Sequence, residues 1–238
     1  MLPPPIFKSL SSIVCLLSLL VLVVPASGQN CEGYFPFQDG REIEYESFDR
    51  KNKSSGVTQY QVRKSDKPNA MQVKATMTDS KGKETTSMDY EVFCEGDAMR
   101  ISMDAFMPSE VMAANSSYEM QVSESFLDMP NNLQVGQSLP EATMTVESFM
   151  SGTKVNTITI RLYNRKVVGQ EKITVPAGTF DCFKITYDFE FNTKTMVGIS
   201  IKGELQETQW VSKPVGMVRS ETIRKGKLFG STVLRAVK

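Results

Sequence analysis

Cysteines, methionines and carboxylates are the side chains here that could do chemistry, because this 238-residue chain contains no histidine. Without an imidazole, Ser-His-Asp and Cys-His nucleophilic catalysis and His-ligated zinc or iron sites are ruled out. The sequence also lacks a CxxC pair, a P-loop and a GxGxxG fingerprint. The 27 Asp and Glu residues could supply the two facing carboxylates of a glycosidase-type hydrolase. Along the predicted strands, however, they alternate with apolar residues, the pattern of a solvated face. Of the 14 methionines, Met99, Met103, Met107 and Met112 fall close together, and thioethers bind Cu(I). Yet Met71, Met77, Met88, Met99 and Met103 take alternating strand positions beside Val, Ile and Tyr, as core residues do. Methionine also suits an apolar surface that adapts to what it touches. No metal, no cofactor and no catalytic residue is therefore expected, and the chain reads as non-enzymatic.

These side chains need elements to hold them, and the clearest is the stretch ITVPAGTFDCFKITYDFEF. Phe183, Ile185, Tyr187, Phe189 and Phe191 alternate there with Lys184, Thr186, Asp188 and Glu190, which predicts a strand with one buried face. Ile185 and Tyr187 should carry its burial. Pro176-Ala177-Gly178 before it is a reversal: proline fixes φ and glycine permits positive φ. Alternation also predicts strands around Ile43 and Tyr45, Tyr60 and Val62, Met71 to Met77, Met88 to Cys94, and Met99 to Met103. Later strands follow around Met144, Val146 and Met150, around Ile158 to Leu162, and around Ile199 to Leu205, with a last hairpin about Lys225-Gly226-Lys227. Trp210 is out of phase with Ile201 and Leu205, which predicts a bulge between Glu207 and Trp210. The connections are too short for helical crossovers, so the strands should form antiparallel meanders. From Ala105 to Leu133 the alternation weakens, and irregular or short helical structure is expected.

The first 28 residues read as a signal peptide: Lys8, an apolar run from Ile13 to Val24, and Ala26-Ser27-Gly28 as a small-x-small cleavage site. A retained anchor would want a longer apolar run, and Asn30 stands where lipidation of Cys31 would want a small residue. Residues 29–238 are then expected to be one antiparallel β domain, exported to the periplasm or beyond, with no later membrane span. Basic and acidic residues balance at 27 each, which argues against a nucleic-acid partner. Three cysteines outlast the leader in a compartment that allows disulfides. A bridge between Cys31 and Cys94 would pin the mature N-terminus, leaving Cys182 as a small, unreactive strand residue.

The run NRKVVGQEKITVPAGTFDCFKI, with Cys31-x-x-Tyr34-Phe35-Pro36, Cys94-Glu95-Gly96 and GMVRSE at Gly216 to Glu221, resembles the TapB-like family of exported bacterial proteins. Its most specific piece is Pro176, Ala177, Gly178, Thr179, Phe180 and Cys182. The resemblance implies a large curved antiparallel sheet or incomplete barrel, and it brings no catalytic residues to map. The function expected is binding of a hydrophobic or lipid-like molecule, or of a cell-envelope protein, on the concave face. Met107, Met112, Met120 and Met129 would form a cover over the ligand. A carboxylate hydrolase and a structural module with a filled core are the competing readings.

Overall fold

The computed structural model describes residues 32–107 and 118–238. The expected leader, Cys31 and Met112 lie outside them. Thirteen strands follow one another: β1 (Glu42–Asp49), β2 (Ser54–Lys64), β3 (Ala70–Asp79), β4 (Glu84–Glu95), β5 (Ala98–Ser102), β6 (Glu119–Val122), β7 (Phe126–Pro130), β8 (Ala142–Met150), β9 (Thr153–Val175), β10 (Gly178–Thr195), β11 (Ser200–Ser212), β12 (Gly216–Arg224) and β13 (Lys227–Val237). A 3-10 turn, Met103–Phe106, follows β5. All thirteen strands belong to one antiparallel sheet that is not closed into a barrel, in the order β6-β8-β9-β10-β11-β12-β13-β1-β2-β3-β4-β5-β7. The expected meanders are there. β8 to β13 form one, β1 to β5 the other, and pairing of β1 with β13 joins them.

The segment expected to be irregular, Ala105 to Leu133, instead contributes both edges of the sheet. β6 pairs with β8 at one edge and β7 with β5 at the other. Strands of 4 and 5 residues are too short for alternation to show in sequence. The three residues between them span the gap. Ser123 N–H donates to Thr145 O at 2.9 Å, while Met103 N–H donates to Ser125 O at 2.9 Å. The curled sheet thus has its two edges linked through consecutive residues.

The 23-residue β9 changes its inward face partway along. Ile158, Ile160 and Leu162 point into the main core, and then Asn164 adopts φ 53°. The register against β10 shifts there and again between Lys184 and Ile185. Each shift adds a residue to β9 and reverses which side chains face inward. Between the two bulges Arg165 and Val167 are buried, and beyond the second Ile173 joins a separate cluster with Cys182, Trp210 and Val218.

The bulge expected between Glu207 and Trp210 is not found. β11 keeps unbroken register with β10 through Trp210, and its shift against β12 falls between Trp210 and Val211. Trp210 lies on the convex face, where Lys184 Nζ and Arg219 Cζ stand 5.0 and 5.4 Å from its ring centroid. Its indole N–H donates to Glu171 Oε1 at 2.7 Å. An aromatic ring between two cations, beside Cys182 and Val218, is buried without needing the concave core. The strand can therefore stay in phase. Met150 also departs from expectation: it is exposed at the β8–β9 turn, and Ser148 takes the last buried place on its strand.

Ile185 is 1% exposed on the concave side of β10, so Ile185→Ala should cost about 2–5 kcal/mol in a denaturant titration. Lys184→Ala, which removes the cation over Trp210, should cost about 0.5–1 kcal/mol. Equal losses would mean that the two faces are covered alike.

Candidate functional site

The concave side of the sheet is lined mainly by apolar residues and tyrosines. Val62, Val73, Ala75, Val92, Met99, Met144, Val146 and Leu234 are almost completely buried in it. Where β1, β2, β4, β5 and β7 face β11 and β12, packing is incomplete and a cavity of about 290 Å³ remains. Tyr45, Tyr60, Tyr90, Leu127, Met129 and Val211 form its walls. The 3-10 turn contributes Ala105 and Phe106, and the entry segment contributes Tyr34, Phe35 and Pro36. Gln209 and Ser220 are the polar side chains on the lining besides the tyrosines. Among the described residues, no Asp or Glu belongs to it.

The tyrosines come together because alternation puts each on the inward face of its strand and the ladder registers them. Tyr60 lies opposite Ile43 on β1 and Ala75 on β3, with Tyr45 two residues along β1 from Ile43 and Tyr90 on β4, opposite Val73 of β3. Tyr45 and Tyr60 meet edge to face at 5.5 Å between centroids, and Tyr60 and Tyr90 at 6.5 Å. Burial disfavours the phenolates, so the Tyr60 hydroxyl is pushed up to about 12 and those of Tyr45 and Tyr90 are also raised. All three remain neutral, with O–H groups that can donate. Tyr45 donates to Met217 O at 2.8 Å.

Gln209 connects the cavity to a buried polar group on β9, β10 and β11. Its side-chain amide donates to the Tyr187 hydroxyl oxygen at 2.9 Å. Glu207, on the same strand face and opposite Tyr187, has its carboxyl raised by desolvation to about 7, against a lowering hydrogen bond from Thr222. Arg165, only 3% exposed, donates through Nη1 to Asp128 O at 3.0 Å and also to Pro140 O. Desolvation lowers the guanidinium to about 10, so it is still a cation at neutral pH.

The methionines singled out from sequence are divided. Met129 lines the cavity, Met107 is buried in the core beside it, and Met120 sits partly buried on edge strand β6. Met112 lies outside the described residues. The Pro176–Ala177 turn joins β9 to β10, and Ala177 N–H donates to Leu234 O at 3.4 Å, folding the turn onto β13. Gly178, at φ 134°, is where the reversal requires glycine. Cys182 is a free, buried thiol pushed up to about 11 by burial, which keeps thiolate scarce. Cys94 is completely buried, and Cys31, its partner in the expected bridge, lies outside the described residues. A Cβ on Gly33 would come within 2.4 Å of Met99 Cγ, and Met99 is the ladder partner of Cys94. The entry segment therefore passes close over Cys94. The tyrosines and Gln209 were the cavity residues that sequence reading missed, since alternation marks an inward face whether the space behind it is filled or empty.

Residues 38–234 match the DUF3108-like family. The chain belongs to that family. The narrower TapB-like assignment is not confirmed. A protein from Bacteroides fragilis, described as exported and with a YmcC-like fold, is 25% identical at TM-score 0.66, the match spanning 87% of this chain and 100% of that one. A protein from Parabacteroides distasonis, described as a lipoprotein, is 24% identical at TM-score 0.69, spanning 88% of this chain and all of its own. No curated protein matches the chain. This DUF3108-like chain is therefore similar in fold to those two proteins over most of its length. Among the described residues, no helix is long and apolar enough to cross a membrane and no acidic, cysteine or histidine cluster could hold a metal.

Two outcomes check the site. Glu207 takes up a proton on folding between its usual 4.5 and about 7, so its favourable contribution is complete below about pH 4.5 and is lost as pH rises through about 7. At about 1.4 kcal/mol per pKa unit the loss is about 3 kcal/mol. Glu207→Gln should flatten the fall in stability across that window when denaturant midpoints are compared. Peptide mapping without reduction should recover Cys31 linked to Cys94 and Cys182 as a thiol. A bridge that contains Cys182 would refute the pairing.

Proposed function

We propose that this is an exported, non-enzymatic member of the DUF3108-like family that holds an apolar chain, such as a fatty acyl group, in its concave interior. The observation that carries the reading is the cavity of about 290 Å³ walled by Tyr45, Tyr60, Tyr90, Met129 and Val211. That volume is at the lower end of the roughly 300–1,000 Å³ of small-molecule sites, and apolar walls with a few polar groups are their usual construction. Gln209, Ser220 and the tyrosine hydroxyls would orient a polar head, while the rest of the wall takes the chain. The 3-10 turn and the entry segment cover it, and among the described residues Met129 is the member of the expected methionine cover that touches the space. Paired carboxylates, which the hydrolase reading needs, are not on the lining among the described residues. Export is supported by the leader pattern and by similarity to proteins described as exported and as a lipoprotein.

A fluorescent fatty acid titrated into the chain from Gln29 onward should bind at tens of micromolar or better, on the order of −6 kcal/mol. Ala105→Phe fills the cavity from its cover and should weaken binding roughly tenfold, because the bulk competes with the ligand and not with the core. Native mass spectrometry should show an adduct of lipid mass on the purified protein. No probe binding and no adduct would leave a structural module with a packing defect.

A further inference from the structure

In an antiparallel meander alternate turns come to the same end of the sheet. The turns of β1–β2, β3–β4, β8–β9, β10–β11 and β12–β13 share one end here. The β10–β11 hairpin extends well past the β12–β13 turn, and the β8–β9 hairpin on its other side reaches as far. The β10–β11 ladder runs out to Lys194 opposite Ser200, whereas β11 gains its β12 partner only from Gln206. The intervening six residues project roughly 20 Å at about 3.3 Å per residue. The tip is closed by Thr195: its N–H donates to Ile199 O, and Ile199 N–H returns to its hydroxyl. Met196 N–H also donates to Val155 O of β9, so the tip is fastened to its neighbour.

A turn held in this way would ordinarily carry polar side chains. This one carries Met196, Val197, Ile199 and Ile201, between 57% and 73% exposed. The neighbouring β12–β13 turn adds Leu228 and Phe229, also exposed. Around them basic residues outnumber acidic ones. Residues 194–202 hold Lys194 and Lys202, residues 224–230 hold Arg224, Lys225 and Lys227, residues 50–56 read RKNKSSG and residues 80–83 read SKGK, against Asp49, Asp79, Glu84 and Glu204 at their margins. The turns at the opposite end are mixed, with Asp66, Glu95 and Asp97 against Lys67 and Lys213. The overall balance of charge thus hides a basic rim with an apolar point.

We infer that this end of the sheet docks on an anionic lipid bilayer, the β10–β11 tip entering the headgroup boundary and the surrounding lysines and arginines meeting lipid phosphates. Exposed apolar side chains of this size gain by leaving water, and cations placed just behind them gain from an anionic surface. Lysine suits that position because its apolar stem can lie along the boundary with the ammonium in the headgroups. A second copy docked tip to tip would bring the same basic turns against each other, which disfavours self-association. The inference does not depend on the cavity.

The test is cosedimentation of the chain from Gln29 onward, which contains every described strand and lacks the apolar leader, with phosphatidylcholine vesicles made with and without phosphatidylglycerol. Anionic vesicles should capture it, added salt should release it, and Val197→Asp with Ile199→Asp should weaken capture roughly tenfold or more. Their exposure means that the thermal midpoint should stay in place. An environment-sensitive dye on Val197→Cys should respond to the anionic vesicles, and the same dye on Lys67→Cys, at the opposite end, should not. No capture, equal capture of the double variant, or an equal response from both dyes would overturn the inference. So would a concentration-dependent dimer that the double variant abolishes without any capture by vesicles, which would assign the tip to a second copy.

Discussion

A guanidinium buried without a facing carboxylate is an expensive thing to keep, and the curl of this sheet depends on one. Arg165 projects from β9, near one edge in sheet order, yet it bonds the carbonyls of Asp128 on β7, at the far edge, and of Pro140. A buried cation must find acceptors or shift towards neutrality. Here the acceptors are backbone oxygens, one on β7 and one just before β8. The interaction holds two strands in contact that are many ladder positions apart. The short span from Ser123 to Ser125 does the same at the gap itself. With both in place the sheet must enclose a concave interior, and its inward side chains become a core.

Local irregularity is what makes that arrangement possible. A perfectly alternating β9 would continue the inward series of Ile158, Ile160 and Leu162 with Asn164 and Lys166, and Arg165 would point to solvent. The left-handed Asn164 and the register shift beside it turn Arg165 inward. The second shift turns Glu171 towards Trp210 on the convex face. The result is two cores of unequal size: a long concave one, and a small convex one in which Trp210 is held between Lys184 and Arg219. The convex cluster keeps β9 to β12 aligned where the concave side is not fully packed. A cavity can persist there because the strands around it are fastened from behind.

The distribution of polarity follows from these layers. Tyrosines occupy concave positions that aliphatic residues could have filled. Each brings a hydroxyl that remains neutral and must find an acceptor or open space. Tyr45 uses the Met217 carbonyl and Tyr187 accepts from Gln209. Gly203 makes room on the same face: a Cβ there would come within 2.2 Å of the Phe191 ring, so only glycine lets that ring lie across the strand. Apolar residues at one rim lie beyond all of this packing, where nothing in the fold needs them.

Period-two alternation was enough to determine the class of structure: antiparallel meanders, a reversal at Pro176-Ala177-Gly178, and inward faces carrying Ile43, Tyr45, Val73, Val92, Ile158 and Ile185. The missing histidine settled which chemistries were impossible, since that depends on composition alone. Sequence could not show that the weakly patterned segment forms both edges, because strands of 4 and 5 residues give too few repeats and their partners are far away in the chain. It placed a bulge between Glu207 and Trp210, where β11 stays in register and the shift against β12 comes only after Trp210, because a ring out of phase reads the same whether the strand kinks or a second core receives it. Alternation likewise reports which face a side chain takes and nothing of what stands opposite. Whether Tyr60 meets another side chain or empty space, and whether exposed Val197 shares a rim with Phe229, were decided only when the sheet curled and brought distant strands together.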